Sequence, residues 1–244
     1  MNLDELVQIK TNFEKVMNTV DETSHRCGRR SGEVKLIVVT KSQPVEKIIS
    51  VVDAGAKYLG ENYPEETEEK IFLAGGKLPV EWHMIGHLQS RKSKIIAELF
   101  SYYHSLDRIE VAQKLDSLLL SQNKKLPVLV EVNVSGEESK HGLAAFDKEK
   151  WNDVKSFIDF LKGLPQMEVK GLMTMPPYFE DPQLSRPYFQ KTRALMRYLN
   201  DSIKELNMTE LSMGTSMDYC VAIEEGATFV RVGQAIMGER IKRL

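Results

Sequence analysis

Short apolar runs alternate with amphipathic stretches along almost the whole chain. Residues 3 to 27 carry apolar side chains at helical spacing, which predicts a leading helix. Residues 35–40 form the first short apolar run, which is typical of a strand buried on both faces of a parallel sheet. Further apolar runs, each followed by a helical pattern, predict strands at 57–62, 80–86, 102–105, 127–133, 167–173, 210–213 and 228–231.

This alternation of strand and helix patterns predicts about eight strand–helix units after one leading helix. Strands that alternate with helices favour right-handed crossovers and a parallel sheet. Eight such units in a chain of this length predict an α/β fold of the (β/α)8 TIM-barrel type, which commonly needs ~250 residues. No linker or shift in composition divides the chain, so we expect one domain over residues 1–244, with the barrel at about 35–240. A doubly wound open sheet is the alternative, because pattern alone can miscount strands.

Composition narrows the classes of function. The 244 residues carry a net charge of −2, which argues against a general binder of nucleic acid or of membrane surfaces. The two cysteines, Cys27 and Cys220, have no paired spacing and suggest neither a disulfide framework nor a zinc site. The first residues have no signal-peptide pattern, and no apolar run approaches the ~20 residues of a membrane span. We therefore expect a cytoplasmic protein.

Lys41 ends the first buried strand of the predicted barrel, and Ser42-Gln43-Pro44 breaks that strand. The carboxyl ends of barrel strands meet at one mouth, where such barrels build their active sites. A lysine there can lose its proton by desolvation and act as a nucleophilic amine. The alternative is a lysine that simply extends to solvent from a strand end.

Two loops, 212–216 and 231–234, follow the seventh and eighth predicted strands, where barrels of this type commonly bind phosphate. Gly233 lets the backbone approach an anion, and the amides that follow it can point at the anion from a helix start. Ser216 and Thr215 offer hydroxyl donors. Each glycine alone is equally well explained as a turn residue, but the two loops together predict an anion site.

A lysine that faces a phosphate loop across the mouth suggests pyridoxal 5′-phosphate (PLP). The aldehyde of this cofactor needs one amine to form an imine, and its phosphate needs a cradle of donors. Arg231 ends the eighth strand between them and, being always charged, only donates hydrogen bonds. Facing the pyridine nitrogen, it would bind the unprotonated ring and weaken the ring as an electron sink. A salt bridge at a strand end is the alternative for Arg231.

A set of motifs in this order resembles the pyridoxal phosphate homeostasis protein family. The resemblance covers essentially the whole chain, from about Leu3 to Arg240, and the family's fold is similar to the barrel domain of alanine racemase, a fold type III PLP protein. The motifs are Val39-Thr40-Lys41, Gly60-Glu61-Asn62-Tyr63, Trp82-His83-Met84-Ile85-Gly86-His87-Leu88-Gln89-Ser90, Gly171-Leu172-Met173-Thr174-Met175, Leu211-Ser212-Met213-Gly214-Thr215-Ser216 and Val230-Arg231-Val232-Gly233.

The resemblance implies roles for particular residues. Lys41 carries the Schiff base, Arg231 faces the pyridine nitrogen and Asn62 lies near the ring. The cofactor-binding set implied is Lys41, Asn62, Ser212, Ser216, Arg231, Gly233 and Gln234, in which Ser216, Gly233 and Gln234 match the phosphate cradle. Thr215 departs from the family's pattern, so its contacts are the least secure of those carried over.

Two functions of different classes fit this set. The first is a carrier that holds PLP as a Lys41 aldimine in vitamin B6 homeostasis and hands it to apo-enzymes without turnover. The alternative is a PLP-dependent amino-acid racemase or related enzyme. We favour the carrier because the chain ends at Leu244, which leaves no room for the second domain expected of a racemase, and because Arg231 makes the ring a poor carbanion stabiliser. A barrel for another phosphorylated metabolite remains if Lys41 is not the imine lysine.

Other conspicuous residues have ordinary explanations. His83 and His87 lie four apart, but no third ligand is apparent and we expect no metal. Glu61, Glu131 and Asp218 could act as acid or base and are as readily structural. We expect residues 64–70 to form a solvated acidic helix face and residues 140–142 a mobile loop near the mouth. No exposed apolar helix face stands out, which favours a monomer.

Overall fold

The computed structural model describes residues 3–239, and its parallel strands close into a barrel. The strands are β1 (Lys35–Val39), β2 (Tyr58–Glu61), β3 (Glu81–Met84), β4 (Tyr102–Leu106), β5 (Leu126–Asn133), β6 (Leu143–Ala144), β7 (Met167–Met173), β8 (Glu210–Ser212) and β9 (Phe229–Val232). The order β4-β3-β2-β1-β9-β8-β7-β5 closes because β4 also pairs with β5. This closure confirms the predicted (β/α)8 barrel and excludes the doubly wound open sheet. In this order β1 and β5 lie on opposite sides of the barrel.

Helices cover the outside of the barrel. They are α1 (Leu3–Arg26), α2 (Val45–Asp53), α3 (Pro64–Leu73), α4 (Ser93–Leu99), α5 (Ile109–Ser121), α6 (Trp151–Leu161), α7 (Arg186–Ser202), α8 (Tyr219–Glu224) and α9 (Gln234–Met237). The leading helix α1 packs against α2, α8 and α9 through its predicted apolar face, on which Ile9, Phe13, Val16 and Val20 are buried. Within residues 3–239 no helix is both long enough and apolar enough to cross a bilayer.

The structure differs from the predicted elements at two places. The apolar positions at helical spacing in residues 185–206 predict one long helix, but α7 ends at Ser202, because Ile203 adopts an extended backbone conformation and is buried there. The two-residue strand β6 was not predicted; it pairs with Val132 and Asn133 at the end of β5. Such a pairing depends on a tertiary neighbour and leaves no local hydrophobic pattern. Arg240, the predicted end of the barrel, lies outside the described residues.

The barrel interior is filled by side chains. Ile37, Tyr102, Leu129, Met173 and Phe229 pack together inside it. A larger apolar core lies between the strands and the helices. The rings of His83 and His104 contact Tyr102 and Phe229, and the polar side chains that line the cavity lie at the carboxyl ends of the strands.

Candidate functional site

A cavity of about 470 Å³ opens at the carboxyl ends of the strands. Six of the seven residues predicted to bind a cofactor line it: Lys41, Asn62, Ser216, Arg231, Gly233 and Gln234. The seventh, Ser212, is fully buried and does not line the cavity. It lies in the layer beneath and contacts Arg231, so its place in the site is a support for another residue rather than a wall of the cavity.

A buried ion triad, Glu61, Glu66 and Lys70, holds the end of β1, and we call it the α3 clamp. Lys70 Nζ donates hydrogen bonds to Glu61 Oε1 at 2.5 Å and to Glu66 Oε2 at 3.1 Å. It also donates to the main-chain oxygen of Thr40 at 2.7 Å, and the Thr40 hydroxyl donates to Glu61 Oε1 at 2.6 Å. The clamp therefore fixes both the backbone and the side chain of the residue before Lys41.

The residue after Lys41 is held by the same clamp. Ser42 has a φ of 56°, a left-handed conformation that costs energy in a residue with a Cβ atom. Its backbone amide donates to Glu66 Oε2 at 2.8 Å, which stabilises this turn. Lys41 thus leaves the strand between two anchored neighbours, and its direction into the cavity is set by α3.

The expected solvated acidic face at 64–70 is found only in part. Glu65, Glu68 and Glu69 are exposed, but Glu66, Thr67 and Lys70 are buried, whereas Phe72 on the same helix is 82% exposed. Burial raises the pKa of Glu61 above its ordinary value, and the nearby Lys70 ammonium opposes that rise. Glu66 and Lys70 face the barrel because they contact buried groups there, and a helix-period pattern carries no sign of such partners.

Arg231 is 4% exposed, and its guanidinium donates hydrogen bonds to groups of the barrel wall. Nη1 donates to Ser212 Oγ at 2.6 Å, and Nη2 donates to the main-chain oxygen of Thr174 at 3.0 Å and to Met175 Sδ at 2.8 Å. Burial lowers its pKa to about 10, while the Glu131 and Asp218 carboxylates oppose that change. The guanidinium is therefore a fixed cation at neutral pH that can donate to an acceptor but not receive a proton.

A chain of hydrogen bonds runs from Arg231 down into the barrel. Ser212 Oγ lies 2.9 Å from His104 Nδ1, and His104 Nε2 lies 2.9 Å from His83 Nδ1. Burial lowers the pKa of both histidines, so both rings are neutral. Because Ser212 accepts from Arg231, its own proton can go to His104, which then donates through Nε2 to His83. His83 therefore lies in the core with its Nδ1 paired to His104.

The loops after β8 and β9 meet at one hydroxyl. The backbone amides of Gly233 and Ala235 point at Ser216 Oγ from 3.3 and 3.4 Å. Thr215 does not take part in this convergence. Its amide and hydroxyl instead donate to Asp218 Oδ1 at 2.7 and 3.1 Å. Ser216 and the two amides are therefore the donors that converge at this end of the cavity, and Asp218 has the structural role of holding the loop.

Two glycines let the strand ends approach one another here. Gly214 has a φ of +91°, and a Cβ atom on it would lie 2.5 Å from the Cβ atom of Ala222. A Cβ atom on Gly86 would lie 2.5 Å from the main-chain oxygen of Asn62. Asn62 in turn has a buried Oδ1 with no hydrogen-bond partner in the part of the chain that the structure describes. An unpaired amide oxygen on a cavity wall is a group that a ligand can satisfy.

Glu131, at the end of β5, is 6% exposed and lines the cavity on the side opposite β1. Burial and the neighbouring Asp107 carboxylate raise its pKa to about 7, and the Arg231 cation opposes that rise. The loop that follows covers it: a Cβ atom on Gly142 would lie 2.8 Å from the main-chain oxygen of Glu131. The carboxyl is thus enclosed by its own strand's loop and remains open to the cavity.

The loop after β5 is tied by the Asn133 side chain. Its Oδ1 accepts from the amides of Ser135 and Gly136 at 3.1 and 3.0 Å, and its Nδ2 donates to the main-chain oxygen of Glu137 at 2.9 Å. This loop carries Lys140 and His141 to the cavity. The mobility expected for residues 140–142 remains a prediction.

The mouth is rimmed by a histidine pair. The rings of His87 and His141 stack with centroids 4.5 Å apart, and His87 Nδ1 lies 3.4 Å from Asp107 Oδ2. Burial lowers the pKa of His87, although the Asp107 carboxylate opposes this. No group of three or more His, Cys, Asp or Glu side chains within residues 3–239 is arranged to hold a metal ion.

Comparison with known proteins agrees with this geometry. The family model described as alanine racemase, N-terminal domain, matches residues 7–241. The pyridoxal phosphate homeostasis protein of Vibrio alginolyticus is 37% identical over 235 residues, which cover 95% of this chain and 97% of the relative. The chain belongs to the pyridoxal phosphate homeostasis protein family. The protein of the same name from Aquifex aeolicus is 39% identical over 230 residues, covering 93% of this chain and 96% of its own.

Solved structures show the same fold. A protein of unknown function from Bifidobacterium adolescentis superposes with a TM-score of 0.83 at 29% identity and covers 97% of both chains. PipY of Synechococcus elongatus, solved with PLP bound, gives 0.78 at 28% identity, covering 90% of this chain and all of PipY. Alanine racemase of Clostridium difficile gives 0.68 at 18% identity, a likeness of fold in which this chain spans 57% of the enzyme.

The sequence did not predict the contacts of several residues of the site. The α3 clamp was missed because its charges were expected to face solvent, and the His104–Ser212 contact because it joins residues 108 apart. A single signal could have revealed the clamp. Glu66 and Lys70 lie four apart, so they share a helix face and can pair with each other.

Proposed function

We propose that this protein binds PLP as a Schiff base on Lys41. The observation that carries the proposal is that six of the seven residues predicted from the sequence, scattered from position 41 to position 234, line one cavity. The PLP-bound relative PipY and the relatives named pyridoxal phosphate homeostasis proteins support it. The racemase likeness is one of fold alone and adds no activity.

The side chains present fit the parts of PLP. The Ser216 hydroxyl and the amides of Gly233 and Ala235 would hold the phosphate, which is rich in acceptors. Arg231, which keeps its proton, would donate to the pyridine nitrogen, and Asn62 offers an unpaired oxygen on the wall. PLP supplies an electrophilic aldehyde carbon and a conjugated ring. Ser212 takes part through Arg231, whose position it fixes.

We further propose that the protein works in cytoplasmic vitamin B6 homeostasis, as a monomer that buffers the reactive aldehyde and supplies PLP to apo-enzymes. Two unpaired cysteines fit a reducing compartment. Absence of turnover is supported by Arg231, because a permanent cation beside the ring nitrogen disfavours the protonated ring that best stabilises a carbanion. An amino-acid racemase is the second candidate, and its support is the racemase-like barrel with a lysine at the mouth.

The test is an absorbance spectrum of the purified protein with and without borohydride, followed by peptide mapping. We expect a yellow protein whose cofactor is fixed on Lys41 by reduction. Lys41→Ala should lose the imine band while the phosphate contacts retain some affinity. Reduced cofactor mapped to Lys57 or Lys140 would refute the assignment. A colourless protein that binds another phosphate ester would favour a barrel for a different phosphorylated metabolite.

A further inference from the structure

Glu131 stands out among the cavity residues because nothing in the proposed cofactor site uses it. It is the only carboxylate among the side chains that the structure places on the cavity wall, and only burial and charge act on it, with no hydrogen bond from residues 3–239. A buried carboxyl with no donor is costly unless a cation or a donor joins it. Within residues 3–239 the Glu131 carboxyl forms no ion pair, and Arg231 acts on it only through its charge.

The charge of a bound cofactor would not stabilise the Glu131 carboxylate either. A phosphate ester bound at Ser216 is itself an anion, so a carboxylate on the same cavity gains nothing from the cofactor's phosphate. Arg231 acts on Glu131 as a charge, but its Nη atoms donate to Ser212, Thr174 and Met175. A ligand that enters the cavity can supply the cationic partner that Glu131 does not have among these contacts.

The chemistry of the site points to the class of that partner. The reacting carbon of PLP, held near Lys41, combines with primary amines, and at neutral pH such an amine arrives as an ammonium ion. An ammonium group both satisfies a buried carboxylate and is the form in which an acceptor of the aldehyde enters. Glu131 faces Lys41 across the barrel, which leaves the space between them for the incoming amine.

We propose that Glu131 forms a binding subsite for the ammonium group of a primary amine that takes the cofactor from Lys41. This inference rests on the proposed function and names the chemical class of acceptor, either a free amine or a lysine side chain of another protein. Glu131 binds the ammonium and accepts one proton from it, which frees the nitrogen lone pair. The amine nitrogen then bonds to the imine carbon, its two remaining protons pass to Lys41 Nζ, and the bond from the carbon to Lys41 Nζ breaks as the new imine forms. Lys41 leaves as an amine and takes the third proton from Glu131, so Lys41 ends as an ammonium and Glu131 as a carboxylate.

The surroundings of Glu131 fit a group that exchanges a proton near neutrality. The other charged or titratable side chains around it are Tyr103 on β4, Asp107 after β4, Arg231 on β9, His87 after β3, Lys41 after β1, Tyr178 after β7, and Lys140 and His141 on the covering loop. Asp107 favours the protonated carboxyl and Arg231 the ionised one, and burial favours the protonated one, so the pKa lies at about 7. A carboxyl at that pKa can take a proton from an ammonium and return it.

The test compares two ligands that differ at one group. Pyridoxamine 5′-phosphate carries an ammonium where pyridoxine 5′-phosphate carries a hydroxyl, and both can be titrated calorimetrically into cofactor-free protein. We expect wild type to favour the ammonium ligand and Glu131→Gln to lose that preference by roughly tenfold. Repulsion by Lys41 is common to both proteins and cancels in the comparison. Glu138→Gln, an exposed change on the same loop, should keep the preference of the wild type.

A second measurement does not depend on the variant folding. In wild type the preference should fall as the pH drops from 8 to 5, because the carboxylate is then neutralised, while the phosphate and histidine effects are shared by both ligands. A preference that is equal in wild type and Glu131→Gln, or unchanged from pH 8 to 5, overturns the subsite. Failure of both ligands to bind wild type, together with the absence of an imine band, overturns the proposed function instead.

Discussion

Replacement of Lys70 by methionine tests how the α3 clamp supports Lys41. Methionine keeps most of the apolar stem and removes the ammonium that contacts Glu61 and Glu66, which are 0% and 1% exposed. Removal of one partner of a buried ion pair costs about 3–5 kcal/mol of stability, because the remaining charge is left uncompensated. The Thr40 main-chain oxygen also loses its donor.

A matched control is present in the same chain. Lys155 and Asp159 form a pair with the same four-residue spacing as Glu66 and Lys70, but their side chains are 32% and 44% exposed. An exposed pair of this kind contributes about 0.3–0.5 kcal/mol. Lys155→Met should therefore change stability about tenfold less than Lys70→Met, which separates the effect of burial from that of losing a lysine.

The loss should also depend on pH in a defined direction. The pKa of Glu61 is already raised by burial, and removal of the Lys70 charge raises it further. A carboxyl whose folded pKa exceeds its unfolded value is stabilising below the unfolded pKa of ~4, and that stability is lost as the pH rises through the folded pKa. The deficit of Lys70→Met should therefore be larger at pH 8 than at pH 5.

Urea unfolding of wild type, Lys70→Met and Lys155→Met at pH 8 and pH 5 measures these differences. Cofactor retention measured on the same samples should fall only in Lys70→Met, since the clamp fixes both neighbours of Lys41. A deficit no larger than that of Lys155→Met, or one equal at both pH values, would show that the triad does not hold the end of β1 as argued.

Three further predictions concern the cavity. Ser216→Ala should weaken cofactor retention by about 1–3 kcal/mol in equilibrium dialysis, since it removes a hydroxyl from the proposed phosphate site, and unchanged retention would place the phosphate elsewhere. Ser212→Ala should lower stability by about 1–3 kcal/mol and shift the absorbance of bound cofactor, because Arg231 loses its acceptor; a change in stability alone would limit Ser212 to a structural role. With alanine or serine, deuterium exchange at the α-carbon should stay near the rate of free PLP, whereas exchange far above it that disappears in Lys41→Ala would establish an enzyme.

The sequence by itself determined the architecture and the location of the site. Strands buried on both faces need continuous apolar runs, and helices that cover them need apolar residues at helical spacing, so both leave local patterns. Once the eight units are counted, parallel strand ends must meet at one mouth. This placed Lys41, Asn62, Ser216, Arg231, Gly233 and Gln234 together before any coordinates, and they line one cavity.

Tertiary structure alone decided what each polar residue contacts. Lys70 of α3 points inward because Thr40, just after β1, and Glu61, on β2, supply partners that the helix's own sequence does not reveal. Ser212 lies under Arg231 rather than on the cavity wall because side chains on a strand alternate in height and direction inside the barrel. The contact between His104 and Ser212 spans 108 residues, and only closure of the barrel brings them together. Burial of apolar residues produces a periodic pattern in the local sequence, so the fold was predictable. The pairing of buried polar groups depends on specific neighbours that are distant in the sequence, so the polar network was not predictable.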